Sequence, residues 1–377
     1  MQTKHRNFIL FSLLIAILVI TGCNADASAG LFRQLANARE VVDVRYNQLL
    51  GQDPATDDLY FLTDTGIYAT AGLTTTTSRI LDNKKDKLIR SANYDKIDTI
   101  LYTINEEPAK VQKYIISTST KSTPAITHGT ITTIISVKVI PNGLIVLTGT
   151  NSSGATTYAL LDSTLTEVSN LSFKNLDGYG LVGVLQQTGF GSVTASSLVV
   201  SFVSGSTYKH YYIPKTAPYD ASEINVDNSK RIVNFVESGT NLYLLTSDGM
   251  IFKGDSTLLD TAFTEIVDVT ETYADQAFGY IITSGTTVHY ITKPNNKEQL
   301  TVFSIDTTNT NPVATTAVTK GYARLIYNTE IVDALELPSK DLLIATARNG
   351  MYRITITTPN SNDDSNGSST EAEKYFP

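Results

Sequence analysis

The sequence predicts an all-β domain made of repeated hairpins. Tyr and Phe are abundant, at 20 and 13 residues, Trp is absent, and Val, Ile and Thr recur in short runs. β-branched and aromatic residues fit a pleated, half-buried surface. From about Val41 to Thr357, short alternating stretches are separated by turn residues, the pattern of successive strands. One hairpin also repeats. Leu59 to Tyr68 reads LYFLTDTGIY, Leu242 to Phe252 reads LYLLTSDGMIF, and Leu342 to Tyr352 reads LLIATARNGMY. Each has an apolar strand ending in Thr, a polar turn closing in Gly, and a second apolar strand. Gly66, Gly249 and Gly350 fall where a tight turn needs positive φ, with Asp64, Asp248 and Asn349 beside them.

Weaker copies begin at Ile100, Gly143, Leu198 and Gly279. Together these give seven units at starts 37 to 63 residues apart, a spacing that fits four strands each. The pattern resembles a β-propeller, and the resemblance implies seven four-stranded blades over residues 41–357. It is architectural: the WD dipeptide, the kelch double glycine and the sialidase Asp-box are all missing. A pair of β-sandwiches or two barrels is the alternative. Val41-Val42-Asp43-Val44 is expected to close the last blade as an added strand. Leu31, Phe32, Leu35 and Ala38 recur at helical spacing, which predicts one short helix within residues 23–40. Residues 358–377 are rich in Ser, Asn and acid and are expected to be a disordered tail.

The N-terminus addresses the chain. Lys4 and Arg6 precede an apolar run from Phe8 to Ile20, about 13 residues, the length of a signal-peptide core and too short for a stable span. Ile20-Thr21-Gly22-Cys23 follows. This tetrad resembles the bacterial lipobox. The resemblance implies that residues 1–22 are a signal peptide, that cleavage falls between Gly22 and Cys23, and that Cys23 carries the lipid. Cys23 is the single cysteine, so an exported chain has no internal disulfide to form. The small, polar stretch from Asn24 to Gly30 reads as a tether.

Net charge is -8, and loss of Lys4 and Arg6 makes the mature chain more acidic. Without basic clusters, nucleic acid is not an expected partner. Membrane lipid, held through acylated Cys23, is one expected partner, and an envelope protein is the other.

No convergent catalytic set is visible. His5, His128, His210 and His289 are isolated in sequence, and none lies in a metal-binding spacing. Ser78 with Asp82, Gly191-Ser192 and Gly205-Ser206 lack a strand–elbow–helix context. The run from Asp177 to Gly183 has no following Lys-Ser/Thr and reads as a blade loop. The pairs Asp57-Asp58, Glu106-Glu107 and Asp363-Asp364 read as solvated turns, since adjacent residues of a strand point to opposite faces. The TYKHYYI run, with Tyr208, His210, Tyr211 and Tyr212, reads as a strand burying alternate aromatics. No catalytic residue, metal or cofactor is expected. The expected function is noncatalytic binding or scaffolding at the cell envelope. The alternatives are a propeller-type hydrolase or lyase with an axial site, and a surface adhesin or ligand binder. A Cys23→Ser variant is expected to remain unprocessed and to take up no radiolabelled fatty acid; normal labelling would contradict the lipid anchor.

Overall fold

The computed structural model describes most of the chain from Tyr46 to Phe376. Residues 1–45, 73–76, 83–88, 96–99, 106–110, 122–130, 141–142, 169–172, 187–196, 216–218, 269–275, 285–286, 295–300, 307–311, 322–330, 338–340, 347–349 and 356–369 lie outside the description, as do positions 54, 175 and 377. The expected helix near Leu31 and the expected closing strand at Val41 to Val44 both fall there. Among the described residues every regular element is a strand.

The strands group in sequence order. β1 (Tyr46–Gln52), β2 (Leu59–Thr63), β3 (Gly66–Thr70) and β4 (Thr77–Asp82) make one antiparallel sheet. β5 (Ile89–Asp95), β6 (Ile100–Asn105), β7 (Val111–Ile115) and β8 (Thr120–Lys121) make the next. β9 (Thr133–Val139), β10 (Ile145–Thr150) and β11 (Thr156–Leu161) form a sheet of three. Its missing fourth strand is reduced to a single bridge between Leu161 and Glu167. β12 (Gly180–Gln186), β13 (Leu198–Ser204), β14 (Thr207–Ile213) and β15 (Ser222–Glu223) follow. Then come β16 (Ile232–Ser238), β17 (Asn241–Thr246), β18 (Met250–Asp255) and β19 (Thr264–Asp268). β20 (Gln276–Ser284), β21 (Thr287–Pro294), β22 (Thr301–Asp306) and β23 (Pro312–Gly321) share one sheet with β24 (Ile331–Glu336), β25 (Leu342–Thr346), β26 (Met351–Ile354) and β27 (Thr370–Phe376). The fold is thus a β-propeller of six sheets, mostly four-stranded, the last having eight strands.

The second strand of a sheet is its most buried. β2 and β25 are buried at every residue, and β10, β13 and β17 at five residues each. Alternate side chains point to opposite faces, so a strand clad on both faces must be apolar throughout. That is why LYFL, IVL and LLIA read as unbroken apolar runs. In β2, Tyr60 and Leu62 pack with Tyr94 and Leu101 of the following sheet, while Leu59 and Phe61 pack with Leu335, Leu343 and Met351. Similar clusters fill the later seams: Tyr102 with Val137 and Leu147, Val146 with Val200, Val199 with Phe235 and Leu244, and Tyr243 with Ile281 and Tyr290. Each such side chain contributes roughly 1.5–3 kcal/mol when fully buried.

The first strands of the six sheets, together with β24 at the far edge of the eight-stranded sheet, pack in order around a common axis. β1 touches β5, β5 touches β9, β9 touches β12, β12 touches β16, β16 touches β20, β20 touches β24, and β24 returns to β1. Each first strand carries a one-residue bulge opposite its second strand, skipping Asn47, Arg90, Ile135, Val182, Val233, Ala277 and Val332. A bulge bends the strand and re-aims the residues after it.

The three strongest hairpin signals correspond to β2–β3, β17–β18 and β25–β26. Gly66, Gly249 and Gly350 have φ of 148°, 90° and 93°. A Cβ on Gly66 would sit 2.0 Å from the Leu81 carbonyl oxygen. The Thr before each turn is buried, and its hydroxyl donates back across the turn: Thr63 to Gly66 O at 3.0 Å, Thr246 to Met250 O at 3.1 Å, and Thr346 to Gly350 O at 2.7 Å.

One expectation is corrected. Thr370–Phe376, placed in a disordered tail by composition, forms β27. It pairs antiparallel with β26 and parallel with β23. Ladder bonds supplied by two distant strands override a polar composition. The unit read at Gly279 is also out of phase: it covers β20–β21, the first and second strands of its run, whereas the other units cover second and third strands. Replacing Thr346 by Val keeps volume and removes the turn bond from a buried carbonyl. It is expected to lower unfolding free energy by about 1–2 kcal/mol in urea denaturation; an unchanged midpoint would show that the hydroxyl contributes nothing.

Candidate functional site: a polar cluster on the axis

Side chains from separate first strands meet across the axis. Asn93 of β5 donates through Nδ2 to Oε1 of Gln186, at the end of β12, at 2.6 Å. β9 lies between those two strands in the ring, so the bond reaches over β9 on the axial side. Gln186 in turn donates through Nε2 to the Val139 carbonyl of β9 at 2.8 Å. Lys138 of β9 and Asp333 of β24 influence one another's charge although their strands are not neighbours in the ring.

The bulges set the levels. Asn234 of β16 and Asp333 of β24 each come directly after their bulge. Asn93 and Lys138 lie two residues beyond the corresponding Ser91 and Ser136, on the same strand face. Lys138, Gln186, Asn234 and Asp333 are half-buried, yet Lys138 and Asp333 lie far from the outer surface.

Asp333 is well held. Its Oδ2 accepts from Leu49 N–H at 2.8 Å and its Oδ1 from Ala334 N–H at 2.9 Å. Burial still pushes its carboxyl up to about 6, opposed by those N–H bonds and by Lys138. Burial likewise pulls the Lys138 ammonium below its ordinary value, with Asp333 opposing. Lys138 has no hydrogen-bond or ion-pair partner among the described residues. The Oδ1 atoms of Asn93 and Asn234 are buried without a partner.

The groups singled out from sequence lie in strands and turns where they are described. His210 is 1% exposed. Its Nε2 lies 2.8 Å from the Lys230 carbonyl, which can only accept, so Nε2 carries the proton. Nδ1 therefore accepts from Ser201 Oγ at 2.8 Å. This Ser–His pair spans the cross-strand partners of β13 and β14 and is sealed from substrate. TYKHYYI is a strand, as expected, but its burial does not alternate: His210, Tyr211, Tyr212 and Ile213 are buried in succession and Tyr208 only partly. The Tyr212 hydroxyl donates to Glu237, which also faces Lys215 at 3.7 Å. His289 is 2% exposed in β21. Ser78 and Asp82 lie in β4, where Asp82 pairs with Arg79 at 3.2 Å. Gly205 and Gly178 adopt φ of 60° and 78° in turns. Asp57 has φ of 61°, and Asp58 Oδ1 accepts from Gly72 N–H at 2.6 Å. Cys23, His5, His128, Gly191-Ser192, Glu106-Glu107 and Asp363-Asp364 lie outside the described residues.

Sequence reading missed two features. The axial cluster takes one residue from each of several distant strands, and no spacing announces it. A recurring turn was legible: Asp162, Asp227 and Asp255 each accept from the backbone N–H and hydroxyl two residues on. The local signal is Asp-x-Ser/Thr, an Asx-turn. Among the described residues no group of three or more His, Asp or Glu is placed to hold a metal ion. No described helix is long and apolar enough to cross a membrane.

No protein-family model matches the chain, and no curated protein matches it. Solved structures do. An extracellular domain of the putative one-component system BT4673 from B. thetaiotaomicron is 11% identical, with a TM-score of 0.53; the match covers 82% of this chain and 38% of that one. The GH74 enzyme of Niastella koreensis is 15% identical, with a TM-score of 0.57 and coverage of 89% and 55%. YCF48, bound to a D1 peptide, is 12% identical, with a TM-score of 0.54 and coverage of 85% and 96%. At these identities the likeness is one of fold. This chain spans well under two thirds of the first two.

The buried histidines set a pH dependence. Burial lowers both His210 and His289 from 6.5 to about 4. Between those values the unfolded chain binds protons that the folded chain refuses, so stability rises with pH through this window. The histidine contribution is expected to be full above pH 6.5 and to be lost as pH drops toward 4, by on the order of 3 kcal/mol per histidine at most, offset in part by Asp333, whose raised carboxyl favours the folded state as pH falls through 6. Urea unfolding at pH 7.5 and 4.5 measures the loss, and His210→Gln should shrink it; a variant with the wild-type pH slope would contradict the assignment.

Proposed function

We propose that this chain is a lipid-anchored cell-envelope protein whose propeller holds other envelope proteins and performs no chemistry of its own. The observation that carries the reading is that the Ser201–His210 pair is engaged in structural bonds. Ser201 donates to His210, and His210 donates to Lys230 O of the next sheet, with Ser201 and His210 both buried. The N-terminal Ile20-Thr21-Gly22-Cys23 supports export and acylation at Cys23, and two or three acyl chains at roughly 0.8 kcal/mol per methylene hold a domain durably at a bilayer. A propeller then offers two broad loop-covered faces to partners. YCF48, with a similar fold, is bound to a peptide, which fits such a role.

The propeller in this reading has seven blades. The eight-stranded sheet divides at its single parallel pairing, β23 with β27, into two runs of four consecutive strands. Counting those runs separately gives one first strand per blade in the closed ring. In intact cells, photo-crosslinking from loop positions on the domain is expected to give discrete protein adducts that persist in the Cys23→Ser variant only at reduced yield. Recovery of lipid alone, with no protein adduct, would overturn the scaffold reading.

A further inference from the structure

We propose that β27 is an exchangeable strand: the slot between β23 and β26 also receives the C-terminal strand of a second copy of this chain. Two copies then complete each other's last sheet. This goes beyond the docking of envelope proteins and does not depend on it.

The slot is defined by its two ladders. In the sheet order β27 separates β23 from β26. It runs antiparallel to β26, with Phe376, Lys374, Glu373 and Ala372 opposite Met351, Tyr352, Arg353 and Ile354. It runs parallel to β23, with Thr370, Glu371 and Ala372 opposite Val318, Lys320 and Gly321. Both edges of β27 are therefore paired, and without it two strand edges stand open. An open edge is a template for pairing with another chain.

The connection permits the exchange. Hairpin neighbours are commonly joined by about two to five residues. Here two residues join β2 to β3, three join β17 to β18, and four join β25 to β26. β26 and β27 are antiparallel neighbours as well, yet fifteen residues, 355–369, separate them. At about 3.3 Å per residue these reach about 50 Å when extended, so the ladder does not dictate which copy supplies the strand.

Charge selects the occupant. Glu371 falls opposite Lys320, and Glu373 falls opposite Arg353. An opposite-charge pairing in each ladder favours this segment and this register over an arbitrary strand. A segment that fits its own slot fits the identical slot of a second copy, and exchange of an identical element is a low-cost route to a dimer. Exchange competes best during folding, before either slot is filled.

Two full-length chains test this, both carrying Cys23→Ser so that no native thiol remains. One adds Arg353→Cys and the other Glu373→Cys. They are unfolded together in urea, refolded at rising concentration and oxidised. A disulfide-linked heterodimer is expected, with a yield that climbs with protein concentration. Adding Ala372→Pro to the second chain takes a backbone N–H from the middle of β27 and is expected to cut that yield about tenfold. Thr257→Cys, in an exposed turn, used in place of Arg353→Cys should give no heterodimer. A single chain carrying both Arg353→Cys and Glu373→Cys should close the bond within itself when refolded dilute, which reports that β27 seats on β26. That internal bond without a heterodimer at any concentration would overturn the exchange, as would a heterodimer whose yield Ala372→Pro leaves unchanged. Failure of both bonds would overturn the slot itself.

Discussion

Each sheet in this chain is apolar on both faces, and a ring is the arrangement that covers them all. The seam between the first and last sheets carries that constraint. There Leu49, Leu59 and Phe61 meet Leu335, Leu343 and Met351. No strand is shared between these two sheets among the described residues. The seam is held instead by apolar packing and by Asp333, whose carboxylate takes the Leu49 N–H from across the join. Asp333 thus serves the ring twice, as a clasp at the seam and as a charge on the axis. Burial lowers the acidity of this carboxyl, and the two backbone N–H bonds that hold it restore part of that acidity.

Polar ties elsewhere act inside the walls. Ser201 and His210 link β13 to β14, and His210 reaches Lys230 at the start of the next sheet. The Lys230 side chain pairs with Asp248 in the β17–β18 turn. Tyr212 and Glu237 repeat the device between the same two sheets. These bonds fix how one sheet sits on the next, which non-directional apolar packing alone leaves loose.

What was legible in the sequence was local. The hairpin LYLLTSDGMIF carries its own strand pattern, its Thr latch and its positive-φ glycine, so β17–β18 was readable. Gly279 misled because β20 is itself a rich apolar strand, and a first strand looked like a second. β27 was unreadable because its order comes from β26 and β23, not from its own residues. The first-strand bulges defeat inspection: Asn47, Arg90, Ile135 and Val182 share a register shift and no chemistry. The axial cluster is the extreme case, since Asn93 and Gln186, 93 positions apart, meet only once their sheets are packed.

The contact between Asp333 and Leu49 joins residues 284 positions apart. Closing so long a loop is entropically slow, and folding rates fall as contacting residues grow more distant in sequence. Individual hairpins form in microseconds, so the sheets can assemble early while the ring stays open. Until the seam shuts, Leu49, Phe61, Leu343 and Met351 present an apolar surface to solvent. An open ring of this kind is a target for strand exchange or aggregation, and any factor that shields β1 and β2 until β24 arrives will govern the yield of folded protein.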